Sequence, residues 1–308
     1  MSEVSNFLFH RVSPERDRLW DPMDVKLFDR CIQYISSKYT VIKIEDFTEI
    51  DFSSVNQQYA TISFDDGYKD NIVYAIPILN KYNVKASFYV VTNCIDQNIP
   101  TWTHVLEYVF QHTSKTEINL DFDFLPLELK HNHFRNLESK LKFAKSLKPV
   151  LKKNNHENRN KVLTQINLVF NDVVFPNIMM SWEDLKTIQL QGHSIGSHTI
   201  SHCMLGTMEN EEEIRNELKE SKKIISYHLN TKVKTISYPV GSYNATTIML
   251  SKEVGYEIGL AVKQDIYITE RDSFFEIPRI ELYNEPWWKT KLRINNKLEL
   301  FKKIIRYK

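Results

Sequence analysis

Residues 61–67 read Thr61-Ile62-Ser63-Phe64-Asp65-Asp66-Gly67. An apolar run with strand-forming character here ends in two adjacent carboxylates and a glycine. Neighbouring side chains of a strand point in opposite directions, so one carboxylate can hold a cation while the other stays free to accept a proton. Gly67 permits a sharp turn that leaves both acids at the C-terminal end of the strand. The same three residues are also typical of a plain turn in which an aspartate caps the following helix.

A second cluster, far downstream, favours the metal interpretation. His198 and His202 lie four residues apart, and two histidines at this spacing can meet on one helical face or curl around one ion. One carboxylate and two imidazoles make a half-open ligand set for a divalent metal. These ligand types suggest zinc first, and iron, cobalt or nickel could fill the same site.

Strand-like and helix-like segments alternate through much of the chain. Helical spacing of apolar residues marks residues 25–35, and residues 74–79 show one apolar side of a further helix. This alternation favours a parallel α/β architecture over a sandwich or a helix bundle. The predicted strands cover residues 7–9, 41–44, 60–64, 86–91, 194–198, 235–239 and 258–262.

The region 98–177 interrupts the alternation. It is rich in charged residues and its pattern is mostly helical, with Pro126, Pro149 and Pro176 as boundary signals. We interpret it as an inserted helical segment, with a second independent domain as the alternative. No matching carboxylate pattern accompanies the histidines of this region, so we expect solvated side chains at His131, His133 and His156.

The overall composition is that of an ordinary globular protein. The chain has 308 residues, of which 42% are hydrophobic and 26% charged, and a formal net charge of +1. This balance gives no global electrostatic preference for nucleic acid. The N-terminus has no secretion-signal pattern, no stretch reaches the roughly 18 apolar residues needed to cross a bilayer, and the three cysteines fit reduced thiols. We therefore expect a cytoplasmic location; nothing indicates the oligomeric state.

The C-terminal segment, residues 286–308, differs from the rest. From Trp287 onward it carries eight basic residues against the single acid Glu299. Apolar residues can share one helical face, which is typical of an interfacial membrane helix at the inner face of the membrane or of a docking site for an anionic substrate. The alternative is a helix packed on the domain with its lysines in solvent. The apolar residues in question are Leu298, Phe301, Ile304 and Ile305.

With both clusters placed, the sequence resembles the polysaccharide deacetylase family, which includes the nodulation-type deacetylases. These are metal-dependent hydrolases built on a distorted, incomplete (β/α) barrel. The likeness covers roughly residues 7–91 and 180–282, and implies one deacetylase-like domain over residues 1–285 that includes the helical insertion. The stretches that carry it are residues 61–67, 192–202, 237–241 and 277–280.

The resemblance also implies roles for the two clusters. It makes Asp65 the general base and Asp66, His198 and His202 the metal ligands. The chemistry needs the same division, because a Lewis acid activates water and polarises an amide carbonyl while a nearby unligated carboxylate accepts the proton. His193 precedes the ligand pair, but the family uses this position for packing or hydrogen bonding.

Some residues depart from the family pattern. Ser237 stands where an arginine is typical, so we expect Arg279 to hold the base instead. Val240 replaces a tyrosine, but its backbone N–H can still stabilise an oxyanion, with Tyr238 beside it as a second substrate contact. The late leucine-x-histidine motif is absent, and we expect His10 to protonate the leaving amine in its place. The alternative is that His10 only caps its strand.

The resulting prediction is a metal-dependent hydrolase that removes the N-acetyl group from an N-acetylated sugar and releases acetate. The substrate would be a surface glycan, an oligosaccharide or a glycan precursor. The alternatives are an O-acetyl esterase or other amide hydrolase, which needs much the same chemistry, and a catalytically inactive glycan-binding module.

Overall fold

A computed structural model of the chain describes residues 2–50, 52 and 57–298. The strands of the described residues are β1 (Glu3–Phe9), β2 (Thr40–Ile42), β3 (Tyr59–Phe64), β4 (Ser87–Val90), β5 (Glu117–Asn119), β6 (His131–His133), β7 (Ser194–Ser197), β8 (Thr235–Ser237), β9 (Ile258–Leu260), β10 (Tyr267–Ile268) and β11 (Ile280–Glu281). The helices are α1 (Val25–Lys38), α2 (Ile76–Lys81), α3 (Thr92–Gln97), α4 (Trp102–His112), α5 (Leu127–Lys130), α6 (Leu137–Lys153), α7 (His156–Val169), α8 (Trp182–Leu190), α9 (Glu211–Leu229), α10 (Ala245–Glu253) and α11 (Trp287–Ile294).

One sheet organises the molecule. Its strands lie in the order β10-β1-β3-β4-β7-β8-β9, with β2 also paired to β3 and β11 to β1. Every pair is parallel except that of β1 with β10. A single parallel bridge between Leu260 and Ile277 connects β9 to the segment that leads into β11. This confirms the predicted α/β fold, an incomplete (β/α) barrel.

The central strand β3 shows why the sequence forms this sheet. All six of its residues are buried, as expected for a parallel strand that is covered on both faces. Helix α1 covers part of the sheet; it begins at Asp24, whose side chain accepts hydrogen bonds from the N–H groups of Lys26 and Leu27. Its apolar stripe packs into the main core through Phe28, Cys31, Ile32 and Ile35.

The region 98–177 contains α4 to α7 and has a hydrophobic cluster of its own, in which Phe110 contacts Phe143 and Phe170. It is mostly helical, as predicted, but it also contains the hairpin of β5 and β6, which the sequence analysis missed. The hairpin strands have only three residues each, and β6 is the polar sequence His-Asn-His, so no alternating apolar pattern marks it.

The described part of the C-terminal segment packs on the domain. The ring of Trp287 contacts Tyr34 of α1 edge-on at 5.7 Å, and the Arg30 guanidinium lies over it at 4.4 Å. Glu285 pairs with Lys289 at 2.8 Å and with Arg293 at 2.9 Å. Phe301, Ile304 and Ile305 of the predicted amphipathic face lie outside the described residues. Within the described ranges, no helix combines the length and apolar character needed to cross a membrane.

Candidate metal centre

The candidate site lies where several parallel strands end. Asp65 and Asp66 follow β3, Ser237 ends β8, and His198 follows β7 directly. His10 follows β1, which pairs in parallel with β3. The carboxyl ends of parallel strands meet at one edge of a sheet, and this is where active sites of (β/α) barrels form. The strand order therefore brings together residues that lie far apart in the sequence.

Three buried side chains converge at this edge. His198 Nε2 lies 3.4 Å and His202 Nε2 lies 3.3 Å from Asp66 Oδ1. The two histidines do not share a helix: Thr199 has φ 68° and His202 has φ 56°, so the chain between them curls. Of the two geometries that the spacing allowed, the structure shows the one in which the chain bends around a common point.

The unpaired atoms of this cluster fit a divalent cation. Asp66 Oδ1 is buried and accepts no hydrogen bond from the described residues. His198 Nδ1 donates to the Ser237 carbonyl at 2.7 Å, which directs Nε2 toward Asp66 in the way that carbonyls orient metal-bound histidines. Ligands about 2.1 Å from a tetrahedral zinc ion lie about 3.4 Å apart, close to the observed N–O distances. Asp66, His198 and His202 can therefore hold such an ion together.

Electrostatics keep the Asp66 carboxylate ionised. Burial by itself raises the pKa of Asp66, but the close imidazole groups of His198 and His202 outweigh it and hold that pKa well below its usual range. A carboxylate that is already ionised needs no proton release before it binds a cation.

The neighbouring carboxylate has a different environment. Arg279 donates to Asp65 Oδ1 and Oδ2 with two bonds of 2.8 Å, and Ser237 Oγ donates to Oδ2 at 3.0 Å. Burial raises the pKa of Asp65, but the guanidinium and the charge of His198 lower it below the ordinary value. Asp65 Oδ2 lies 4.0 Å from His198 Nε2. Asp65 is thus an ionised carboxylate that lies beside the three candidate ligands and is held by Arg279.

A cavity of about 150 Å³ opens onto these groups. It is lined by six residues of the predicted site: His10, Asp65, Asp66, His198, His202 and Val240. Arg279 is buried behind Asp65 and does not line it. Among the described residues a cavity of about 870 Å³ between α7 and the start of α9 is larger, but none of the three candidate ligands lines it.

Two residues predicted to contact the substrate lie in different positions. Val240 lines the cavity and has φ 58°, a left-handed conformation that is strained for a β-branched residue. The ring of Tyr238 is buried in the main core and stacks on Tyr243 at 4.9 Å. Ser237 directs its hydroxyl to Asp65, and adjacent strand residues point to opposite faces. The structure therefore does not bring the Tyr238 side chain to the cavity.

His10 lies at the rim of the cavity. Its Nδ1 is 3.5 Å from Glu281 Oε1, and its ring contacts the edge of Trp20 at a centroid distance of 5.5 Å. About one fifth of its side chain is exposed. The imidazole therefore has a carboxylate partner on one side and access to the cavity on the other.

The sequence analysis missed six of the lining residues, which are Trp20, Thr103, Lys148, Lys152, Val262 and Glu281. Glu281 could have been found, because it lies in the strand-like stretch that follows Arg279. Thr103, Lys148 and Lys152 come from the inserted segment, and only tertiary packing brings them to the site. The two histidines of β6 are exposed, as predicted, whereas His156 is half-buried and hydrogen-bonds to Asn160.

Comparisons with known proteins agree with this geometry. A family model described as polysaccharide deacetylase matches residues 53–259. The curated protein YxkH of Bacillus subtilis (strain 168) is 33% identical over 81 residues, which are 26% of this chain and 29% of that protein. The alignment therefore spans less than a third of the relative.

Solved structures show the same fold. The Streptococcus pyogenes deacetylase PplD in complex with acetate has a TM-score of 0.61 at 17% identity, over 96% of this chain and 97% of that one. The de-N-acetylase from Aggregatibacter actinomycetemcomitans has a TM-score of 0.61 at 16% identity, over 95% of this chain and 99% of that one. Since the family model covers more than half of the sequence, the chain belongs to the polysaccharide deacetylase family, whose members are hydrolases that act on carbohydrate amide bonds.

Proposed function

We propose that this protein is a metal-dependent N-deacetylase that hydrolyses the acetamido group of an N-acetylated sugar and releases acetate. One observation carries the proposal: an ionised carboxylate, Asp65, lies beside the candidate ligands but is held by Arg279 instead. A site that only bound a metal would not need it. Metal-assisted hydrolysis of an amide uses both a cation and a separate proton acceptor.

The ligand set fits a divalent ion, with zinc as our first choice. Such an ion, held by Asp66, His198 and His202, would polarise the acetamido carbonyl and lower the pKa of the attacking water. Asp65 accepts the proton from that water. Its carboxylate has about four lone-pair positions, three of which are occupied by Arg279 and Ser237. One position therefore remains for the water.

Two further groups complete the reaction in this proposal. The backbone N–H of Val240 donates to the oxygen that becomes negatively charged when water attacks the carbonyl. Val240 lines the cavity, and its φ of 58° is a strained conformation of the kind that is common at functional sites. His10 gives a proton to the nitrogen as the C–N bond breaks, since an amine leaves readily only when it is protonated. Glu281 keeps the imidazole at the rim.

The physiological substrate is an N-acetylated glycan, oligosaccharide or glycan precursor. The expected cytoplasmic location stays a prediction, and it would favour a precursor over a finished polymer. An O-acetyl esterase would use the same residues and is the second candidate, because an ester carbonyl needs the same water, cation and proton acceptor.

Acetate release tests the proposal. The purified protein is incubated with N-acetylated mono- and oligosaccharides and with O-acetylated sugars, before and after removal of metal by a chelator and after return of Zn²⁺, Co²⁺, Ni²⁺ or Fe²⁺. We expect release from N-acetyl substrates, loss after chelation and recovery with at least one ion. Release from O-acetyl substrates alone would replace the proposal by the esterase, and release that survives full metal removal would contradict it.

The basic C-terminal segment motivates a separate proposal of peripheral contact with anionic membranes. Its test is sedimentation with phosphatidylserine vesicles of the intact protein and of a Lys302→Ser, Lys303→Ser, Arg306→Ser variant. We expect the intact protein to sediment and the variant to stay in solution at the same metal content. Equal partitioning of the two proteins would reject membrane contact through this segment.

A further inference from the structure

The inserted segment contributes directly to the metal cavity. Thr103 of α4 and both Lys148 and Lys152 of α6 line it. The two lysines are four residues apart and therefore lie on one face of α6. Other lysines of the same helix, such as Lys145 and Lys153, are exposed to solvent. Helix α6 thus places two cations over the site, whereas Lys145 and Lys153 face water.

The two lysines differ in their partners. Lys148 Nζ donates to Glu107 Oε1 of α4 at 2.8 Å, and only 21% of the lysine side chain and 9% of the glutamate side chain are exposed. Lys152 is half-buried and forms no hydrogen bond or ion pair with any residue in the described ranges. Burial and the charge of Lys148 lower the pKa of Lys152. A half-buried ammonium group without a partner is unfavourable, and lysines in such positions are usually paired.

With a divalent ion bound, the charged groups around the cavity would leave a net positive charge. Arg279 balances Asp65, and Lys148 balances Glu107. The Glu281 carboxylate attracts Lys152 without forming an ion pair with it, and the charge of a divalent ion would exceed that of Asp66. An acetamido sugar without other substituents is neutral, so it would not compensate the ammonium group. An anionic group on the ligand would compensate it and could also accept hydrogen bonds from Lys152.

We propose that Lys152, supported by Lys148, forms a subsite for an anionic group, a phosphate or a carboxylate, that the substrate carries next to its N-acetyl sugar. The subsite deepens the proposed function, on which it rests, by naming the substrate class: an acidic N-acetylated saccharide. In this proposal the inserted segment takes part in substrate binding, because α6 supplies lysines that the barrel strands do not.

Turnover of matched substrates tests the subsite. The specificity constant kcat/KM is measured for N-acetylglucosamine, for its 1-phosphate and 6-phosphate esters, and for the carboxylate-bearing N-acetylmuramic acid. The proteins are wild type, Lys152→Gln, and the control Lys153→Gln on the exposed side of the same helix. We expect wild type and control to prefer at least one anionic substrate by roughly 10-fold or more, the usual effect of a hydrogen bond to a charged group. Lys152→Gln should reduce that preference to near unity.

The substrates that show the preference distinguish a phosphate subsite from a carboxylate subsite. A preference for the phosphate esters assigns the subsite to a phosphate, and one for N-acetylmuramic acid assigns it to a carboxylate. Raising the salt concentration should weaken the preference in wild type, because the contact is between charges at a partly exposed site. An unchanged preference in Lys152→Gln, or none in wild type, would overturn the proposal while leaving the deacetylase itself intact.

A binding measurement keeps the subsite testable if no acetate is released. Inorganic phosphate is titrated calorimetrically into zinc-loaded wild type, Lys152→Gln and Lys153→Gln. Any contact of phosphate with the zinc ion is common to all three proteins, so a difference in phosphate affinity reports the contribution of Lys152. A roughly 10-fold weaker affinity in Lys152→Gln alone would support the subsite even if the proposed function failed. Equal affinities in all three proteins would reject it.

Discussion

Arg279 and Asp65 form a fully buried pair joined by two parallel N–H···O bonds of 2.8 Å each. Ser237 closes the arrangement, since its Oγ accepts from Arg279 at 2.8 Å and donates to Asp65 at 3.0 Å. A bidentate pair fixes the plane of the carboxylate as well as its position. The proton acceptor of the proposed reaction is therefore oriented by an arginine from a segment far along the chain.

Replacing Arg279 by lysine should lower kcat by roughly 10²-fold while metal content stays at the wild-type value. Lysine keeps the charge but cannot make two parallel bonds, so the Asp65 carboxylate loses its fixed plane, and misplacement of a reacting group costs about this much. Acetate release and metal analysis check the prediction. The control is Arg271→Lys, at an exposed arginine that pairs with Asp272 far from the cavity lining, and it should match wild type. Full activity of Arg279→Lys would show that the orientation is unimportant.

Val240→Gly should keep kcat within about 3-fold of wild type, because the proposed donor is a backbone N–H that glycine also has. The variant should also be no less stable, since glycine adopts a φ of 58° without strain and removing such strain is worth about 1 kcal/mol. Urea unfolding and acetate release measure both effects. A loss of roughly 10²-fold in kcat with metal intact would instead assign the role to the valine side chain.

His10→Ala should lower kcat by roughly 10²-fold or more and leave metal content unchanged, given the usual size of general-acid effects. The companion variant His10→Gln keeps a polar group near Glu281 but cannot donate a proton in the same way, so it should be as inactive. His112→Ala, at an exposed histidine of α4, serves as the control. Near-normal turnover of His10→Ala would mean that the imidazole only positions the end of β1.

Stability should fall in mild acid because of His104, which is buried with its Nδ1 3.0 Å from the Tyr68 hydroxyl. Burial lowers the pKa of His104 to about 4. The unfolded chain binds this proton below about pH 6.5, so the free energy of unfolding decreases as the pH falls from 6.5 and levels off below about 4.

The free energy of unfolding is measured with urea at pH 7.5 and at pH 5. Protonation of His104 in the unfolded chain should account for about 2 kcal/mol of the decrease between them. Between the same two pH values, the free energy of unfolding of His104→Gln should fall by about 2 kcal/mol less than that of wild type. His131→Gln, which removes an exposed histidine of β6, should show the wild-type loss. An identical pH dependence in His104→Gln would mean that the buried imidazole is protonated in the folded protein.

Local pattern and strand order explain how much of the site could be predicted. The apolar run that ends in Asp65 and Asp66 predicted β3. The carboxyl ends of parallel strands lie at one edge of a sheet, so the sequence also predicted that the two aspartates lie near His198. Ser237 ends β8 and Tyr238 follows it in extended conformation, so their side chains face opposite ways and the Tyr238 ring lies in the core instead of the cavity.

Other features depended on packing that no local pattern records. Lys148 and Lys152 reach the cavity only because α6 packs on α4 and over the barrel, and a pair of lysines on a charged helix is ordinarily a solvated face. The conformation of Val240 is also hidden, because nothing about a valine in sequence indicates a positive φ. In each case the missing information was the position of one element relative to another.

The division of roles between two adjacent aspartates is the central claim, and metal content measured together with acetate release on Asp65→Asn and Asp66→Asn tests it most directly. We predict that Asp65→Asn retains the wild-type amount of metal and loses at least 10²-fold in kcat, since only the proton acceptor is removed. Asp66→Asn should lose both metal and activity. An Asp65→Asn protein without metal beside an Asp66→Asn protein that stays loaded would contradict the account.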